Sequence, residues 1–264
     1  MASLRLGLCY DPGVLQRPEY QRSLKKLDVI VFPELADGSY AALARGAVPH
    51  GYNDPLTHSF RNASRKFSFT CVAGSIYFKG GIHRPTNTSL VFIRGRLALK
   101  YDKIHLYRPT GDRKYFAKGK TVGTFNIPVR GGHAKGGVVV CYDLRFPELV
   151  RALAKRGLEV LFVPARWPAV RDDAWSTLLK ARAIENQVFV VGCNALGREG
   201  GLSYVFDPLG RCVFSSRGKP ATLLHTVRLD LRALVKSRSL HDNIKEAVLL
   251  RRNPSREEKE RESA

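Results

Sequence analysis

Short apolar, β-branched runs alternate along this chain with stretches of helical periodicity, and that alternation constrains its fold more than any other feature. Strand signals stand at 4–8, 29–32, 70–78, 88–93, 97–101, 137–140, 160–163 and 188–193, then at 202–206, 212–215 and 222–229. Residues 147–158 place Leu149, Val150, Leu153 and Leu158 at helical spacing, with Glu148 in the first turn, Lys155 and Arg156 in the last, and Gly157 as the stop. Residues 174–186 repeat the pattern through Trp175, Leu178, Leu179, Ala181 and Ile184, and Asp172 and Asp173 are expected to supply the N-cap and a negative first turn. Two predicted hairpins, 75–101 and 203–214, turn at Ile93-Arg94-Gly95-Arg96 and Asp207-Pro208-Leu209-Gly210. The chain therefore reads as an α/β protein with antiparallel pieces mixed into its sheets. Residues 1–250 are expected to form a single domain around one core. Residues 251–264, without an apolar side chain except the terminal alanine, are expected to be a solvated, mixed-charge tail.

Composition removes several classes of function. No stretch approaches the ~18 uninterrupted apolar residues of a membrane span, and Met1 to Tyr10 reads as a strand rather than a leader. Five scattered cysteines, none at metal-ligand spacing, point to reduced thiols in the cytoplasm and to no structural metal. The net charge of +21 raises the question of nucleic acid, but the excess is concentrated in residues 55–136, which hold 16 Lys/Arg against 2 Asp/Glu. The aromatics there, Phe67, Phe69, Tyr77, Phe78 and Phe92, fall on strand patterns and are expected in the core. No nucleic-acid-binding motif accompanies them. Specific nucleic-acid recognition is not expected; loose attraction of polyanions or anionic substrates is.

Candidate chemistry centres on Cys141. The run Gly136-Gly137-Val138-Val139-Val140 ends at this cysteine, and Tyr142-Asp143-Leu144-Arg145-Phe146-Pro147-Glu148 turns at once toward a helix. A thiol at such a turn is either a nucleophile favoured as thiolate by nearby amides and the helix dipole, or a small buried hydrophobe. Glu34 ends the run Val29-Ile30-Val31-Phe32-Pro33, either as a proton acceptor for a thiol or as a solvated strand-end carboxylate. Lys103 follows Leu97 to Asp102, either as an oxyanion stabiliser or as a surface lysine. All three sit just past strand signals, where α/β sheets place their sites.

The segments Phe32-Pro33-Glu34-Leu35, Lys100-Tyr101-Asp102-Lys103-Ile104-His105-Leu106 and Cys141 through Leu149 closely resemble the three catalytic motifs of the nitrilase superfamily of carbon–nitrogen hydrolases, over nearly the whole chain. The resemblance implies a four-layer αββα sandwich, a homodimer or larger assembly, no cofactor, and a Glu34–Lys103–Cys141 triad acting through a thioester. Lys103 and the backbone N–H of Tyr142 would then hold the oxyanion. Many members carry a further glutamate before a Phe-x-x-Gly segment. Here Asp112 stands at that place, ahead of Phe116-Ala117-Lys118-Gly119, either filling the role one methylene short or serving as a turn residue.

Tyr142-Asp143 after the nucleophile, together with Ala165-Arg166-Trp167-Pro168 and the segment Ala181-Arg182-Ala183-Ile184-Glu185-Asn186-Gln187, resembles the amidase branch that contains ω-amidases. That branch implies hydrolysis of a small ω-amido carboxylic acid to acid and ammonia. An N-carbamoyl amidohydrolase or deaminated-glutathione amidase is the alternative, and an inactive, polyanion-binding protein on the same fold is a third. Arg145 either anchors its helix through acidic neighbours or reaches a substrate carboxylate. Trp167 either packs in the core or walls the pocket, and Tyr40 either packs or touches substrate. Glu185 is expected to be structural or interfacial rather than catalytic, and His105 and His133 structural.

Overall fold

The computed structural model describes residues 3–80, 84–220 and 222–247, so the tail expected at 251–264 lies outside the described residues. Two mixed sheets face each other. The first runs in spatial order Leu224–Asp230, Ser3–Cys9, Val29–Val31, Thr70–Val72, Thr86–Ile93 and Ile76–Phe78, with Arg96–Asp102 also paired to Thr86–Ile93. The second runs Cys212–Ser215, Tyr204–Phe206, Phe189–Asn194, Val160–Ala165, Gly132–Val138 and Thr124–Val129. Each has three parallel strands at its heart with antiparallel strands on both flanks.

Period-two alternation sorts the side chains into layers. Leu4, Leu6, Leu8, Val29, Val31, Val72 and Val91 join Val138, Val160, Phe162 and Val191 in the core between the sheets. Cys193 Sγ bridges the layers, donating to the Val31 carbonyl at 3.6 Å. The opposite face of the first sheet, through Ile30, Phe32, Cys71, Leu90 and Phe92, packs on Phe60, Ala63 and Phe67 of the helix Pro55–Phe67. Gly137 and Gly192 mark the outer face of the second sheet. A Cβ there would lie 2.8 Å from Leu158 and 2.5 Å from Leu179, beside the helices Pro147–Ala154 and Asp172–Asn186. The result is the four-layer αββα sandwich.

Several local expectations are corrected. The run 70–78 breaks into Thr70–Val72 and Ile76–Phe78 because Gly74 takes a left-handed conformation (φ 57°) against the Pro33 carbonyl. Asp172 is the first helical residue rather than the N-cap. It accepts from Tyr204 at 2.7 Å and from Arg217 at 2.9 Å. A free cysteine reads by default as a small buried hydrophobe; Cys9, Cys71 and Cys193 are buried, whereas Cys212 is exposed. Phe67, Phe69, Phe78 and Phe92 are core residues and Tyr77 is half-buried, so these aromatics offer no stacking platform for bases. No helix among the described residues is long and apolar enough to cross a membrane.

Candidate active site

Cys141 opens a 3-10 turn, Cys141–Arg145, three residues past the strand Gly132–Val138. Its φ of 49° is strained for a residue with a side chain, and the surroundings hold it there. The buried Asp143 carboxylate accepts from Val140 N–H, His105 N–H and the Tyr101 hydroxyl at 3.1, 2.7 and 2.7 Å. Arg182, paired with Glu185, donates through Nε and Nη2 to the Leu144 carbonyl. His105 stacks on Phe146 with ring centroids 3.5 Å apart and faces Asp143 through Nδ1. His105 and Glu185 thus take the structural parts expected of them, and His133 is exposed on its strand.

Glu34 and Lys103 arrive from the first sheet. Ser75 Oγ accepts from Leu35 N–H at 3.1 Å, and the Gly74 turn lets the chain carrying Glu34 pass closely. Lys103 follows the strand Arg96–Asp102, which is antiparallel to its neighbour. The site therefore draws on a hairpin as well as on the ends of parallel strands. Gly119 seals the other side, donating to the Lys103 carbonyl at 2.9 Å where a Cβ would meet the Asp102 carbonyl at 1.9 Å. That contact gives the Phe-x-x-Gly segment its physical reason.

The structure brings all four candidate catalytic residues together, every one of them buried. Lys103 Nζ donates to Glu34 Oε1 at 2.8 Å and to Asp112 Oδ2 at 2.8 Å. Asp112 also accepts from Tyr107 N–H at 2.9 Å and Thr110 Oγ1 at 2.6 Å, so it is more than a turn residue. Glu34 accepts further from Asn87 Nδ2 at 2.9 Å and the Tyr40 hydroxyl at 3.2 Å on Oε1, and from Arg166 N–H at 3.1 Å on Oε2. The Cys141 thiol faces Glu34 and the Arg166 carbonyl, the latter at 3.9 Å.

Charge in this dry site is set by proximity. Burial pulls Lys103 toward the neutral form, but the Glu34 carboxylate, with Tyr40, Cys141 and Asp112 behind it, holds its pKa well above the usual lysine value. Burial works against the Asp112 anion too, and there Lys103, Thr110 and the Tyr107 amide prevail and lower the carboxyl. Burial raises the Cys141 thiol well above the ordinary cysteine value, and Glu34 adds to the rise while Lys103 opposes it. Burial and the facing carboxylate thus favour the thiol, the form whose proton Glu34 was expected to accept, and the α-helix that was to favour the thiolate begins only at Pro147.

A cavity of about 450 Å³ opens onto Cys141 and Lys103, walled by Tyr40, Tyr107, Tyr142 and Trp167. Trp167 both packs and lines, buried against Trp175 with ring centroids 5.2 Å apart. Arg145 does not anchor its helix through acidic neighbours. Its guanidinium lies 4.9 Å over the Trp167 ring, and among the described residues no carboxylate pairs with it. Sequence reasoning passed over Asn87, Tyr107, Arg166, Arg171 and Glu199. Of these, only Arg166 stood in a segment already singled out. Among the described residues no group of three or more His, Cys, Asp or Glu side chains converges as metal ligands would.

This geometry has its counterpart among known proteins. Residues 19–237 match the family model described as carbon-nitrogen hydrolase. The chain belongs to the carbon-nitrogen hydrolase family. It is 31% identical over 196 residues to a 2-oxoglutaramate amidase of Bacillus subtilis, covering 72% of this chain and 74% of that protein. It is 31% identical over 239 residues to the omega-amidase YafV of Escherichia coli, covering 84% and 88%. Its fold is similar to that of a CN-hydrolase superfamily protein from Xanthomonas campestris solved with an arsenic adduct in the active site. That match has a TM-score of 0.78 and 25% identity, covering 96% of this chain and 100% of the other. The protein is a carbon–nitrogen hydrolase of the nitrilase superfamily, in its amidase branch, and its reaction class is amide hydrolysis.

Proposed function

We propose that this carbon–nitrogen hydrolase cleaves the terminal amide of a small ω-amido carboxylic acid through a thioester on Cys141. One observation carries the roles: a buried ammonium, Lys103, is shared by the carboxylates of Glu34 and Asp112 beside a buried thiol at a strained turn. Glu34 Oε1 already accepts from three donors and Oε2 from one, which leaves Oε2 the freer oxygen to take the thiol proton. As sulfur attacks the amide carbonyl, that proton passes to Glu34, so the anion forms only in the act of bond formation. Lys103 spends two of its three N–H donors on carboxylates, and the third, with the Tyr142 backbone N–H, would receive the oxyanion. Collapse of the tetrahedral adduct breaks the C–N bond, Glu34 returns the proton to nitrogen, and ammonia leaves. Water then gives a proton to Glu34, attacks the thioester and releases the acid, and sulfur is reprotonated.

The substrate reading rests on the relatives named as 2-oxoglutaramate amidase and omega-amidase, and on the guanidinium of Arg145 at an aromatic-walled cavity. Tyr40 and Trp167 would shape the acyl subsite, and Arg145 would meet the substrate carboxylate. Five free cysteines support action in a reducing compartment such as the cytoplasm. A homodimer or larger assembly belongs to the same reading. Exposed Ile184 and Val235 lie on the helices Asp172–Asn186 and Arg232–Leu240, joined by a hydrogen bond from Gln187 to the Ser237 carbonyl, and offer surface for it. The test is ammonia release from 2-oxoglutaramate, succinamate and N-carbamoyl compounds by the parent and by Cys141→Ala. Release from the ω-amides that disappears in the variant supports the reading, and ammonia from Cys141→Ala overturns it.

A further inference from the structure

We propose that the Arg166 guanidinium is a positioning latch. It aligns the base with the nucleophile by tying the turn that carries Glu34 to the loop that carries Glu199. The inference rests on the roles given above to Glu34 and Cys141. Arg166 touches both through its backbone: its N–H donates to Glu34 Oε2 at 3.1 Å, and its carbonyl accepts from the Cys141 thiol at 3.9 Å. A shift of this one residue therefore moves the donor on the base and the acceptor on the nucleophile together.

The side chain fixes where that backbone sits. Nη2 donates to the carbonyls of Leu35, at 2.9 Å, and Gly38, while Nη1 pairs with Glu199 Oε2 at 3.2 Å. The turn it grips needs an external hold, because Leu35 is left-handed at φ 48°, a conformation costly for a bulky side chain. Nε of Arg166 is buried with no partner among the described residues. The planar fork spans two carbonyls and a carboxylate at once. A lysine ammonium, as a single point, keeps part of that set and loses the rest.

The experiment compares Arg166→Gln, Arg166→Lys and Glu199→Gln in a Cys212→Ser background, which removes the exposed thiol. Steady-state ammonia release from succinamate is measured beside the pH dependence of Cys141 alkylation by iodoacetamide, with circular dichroism as the check on folding. Misplacing reacting groups by about 1 Å costs on the order of 10²-fold, so kcat should fall about 100-fold in Arg166→Gln with KM within about threefold. Alkylation of Cys141 near neutral pH should slow with it, because Glu34 no longer meets the thiol proton. Arg166→Lys should recover about tenfold of the lost kcat. A kcat within about threefold of the parent in Arg166→Gln overturns the proposal. A kcat loss with unchanged Cys141 alkylation and no recovery in Arg166→Lys overturns it as well, because that is the behaviour of a merely structural arginine. If Arg166→Gln does not fold, Glu199→Gln decides, since it leaves both carbonyl bonds in place. There kcat should fall about tenfold, and a parent-like kcat refutes the latch. Cys141→Ala, run alongside, separates the two levels: ammonia release from it defeats the roles of Cys141 and Glu34, whatever the Arg166 variants do.

Discussion

Replacing Asp112 with asparagine tests whether the shorter carboxylate completes the site. Asp112 accepts three hydrogen bonds, from Lys103 Nζ, Thr110 Oγ1 and Tyr107 N–H, all in a buried setting. Lys103 and Tyr107 share Oδ2, so asparagine can keep its oxygen on both and turn its N–H₂ toward Thr110 Oγ1; what it removes is the charge on the Lys103 bond. Lys103 keeps Glu34 as a counter-charge, so the loss is smaller than the ~3–5 kcal/mol of a stranded buried ion. Loss of a charged hydrogen bond, at about 1.5–3 kcal/mol, is the better measure. For a chain of this size that corresponds to a fall in Tm of about 3–12 °C.

The sign of the pH dependence follows from the lowered folded-state pKa of Asp112. The stabilisation it provides is complete above the unfolded carboxyl value near ~4 and disappears as pH falls through the lower folded value. Urea melts of parent and Asp112→Asn should therefore differ by a constant amount from about pH 5 to 8 and converge below about pH 4. Ammonia release should drop about 10²-fold, since Lys103 keeps only a neutral acceptor in place of one of the two carboxylates that aim its third donor. Equal stability and equal kcat in Asp112→Asn would refute the reasoning, and so would a stability gap that widens on acidification.

Three shorter predictions follow from the same geometry. Maleimide should label Cys212 far faster than Cys9, Cys71 or Cys193, as peptide mapping after brief exposure will show; equal labelling would contradict their burial. Gly74→Ala should cost upward of ~3 kcal/mol in urea melts, because its Cβ would lie 2.0 Å from the Pro33 carbonyl at a left-handed backbone position. Arg145→Ala should raise KM for succinamate about fivefold to tenfold at low salt, with the gap narrowing as salt rises, and leave KM for an uncharged amide of similar length unchanged. A uniform KM change across both substrates would remove Arg145 from carboxylate recognition.

The parts of this molecule governed by local periodicity were legible in the sequence. Strands such as Phe189–Asn194 and Val160–Ala165 are near-continuous apolar runs because both of their faces are buried. Thr124–Val129 escaped notice because Pro128 and Asn126 break the pattern, which the edge of a sheet tolerates. The helix Pro55–Phe67 was missed although Pro55 opens it and Phe60, Ala63 and Phe67 mark one face. Its polar majority hides the stripe. Glu34, Lys103 and Cys141 were found through their motifs. Asn87 and Arg166 were not assigned, because their work depends on which loops meet across the two sheets. Strand-end placement alone points Cys141 toward the thiolate; the burial and the facing Glu34 carboxylate that favour the thiol come only with folding.

The central claim is an acyl group carried on Cys141 between two half-reactions. The most direct measurement turns over an ω-amide and the methyl ester of the same acid in the presence of hydroxylamine, and compares hydroxamate with free acid from each. Rapid quenching and peptide mapping locate any bound acyl group. A shared thioester predicts one hydroxamate-to-acid ratio for both leaving groups and a hydroxylamine-labile acyl mass on the Cys141 peptide. A ratio that changes with the leaving group, or an acyl mass on any other residue, would contradict it.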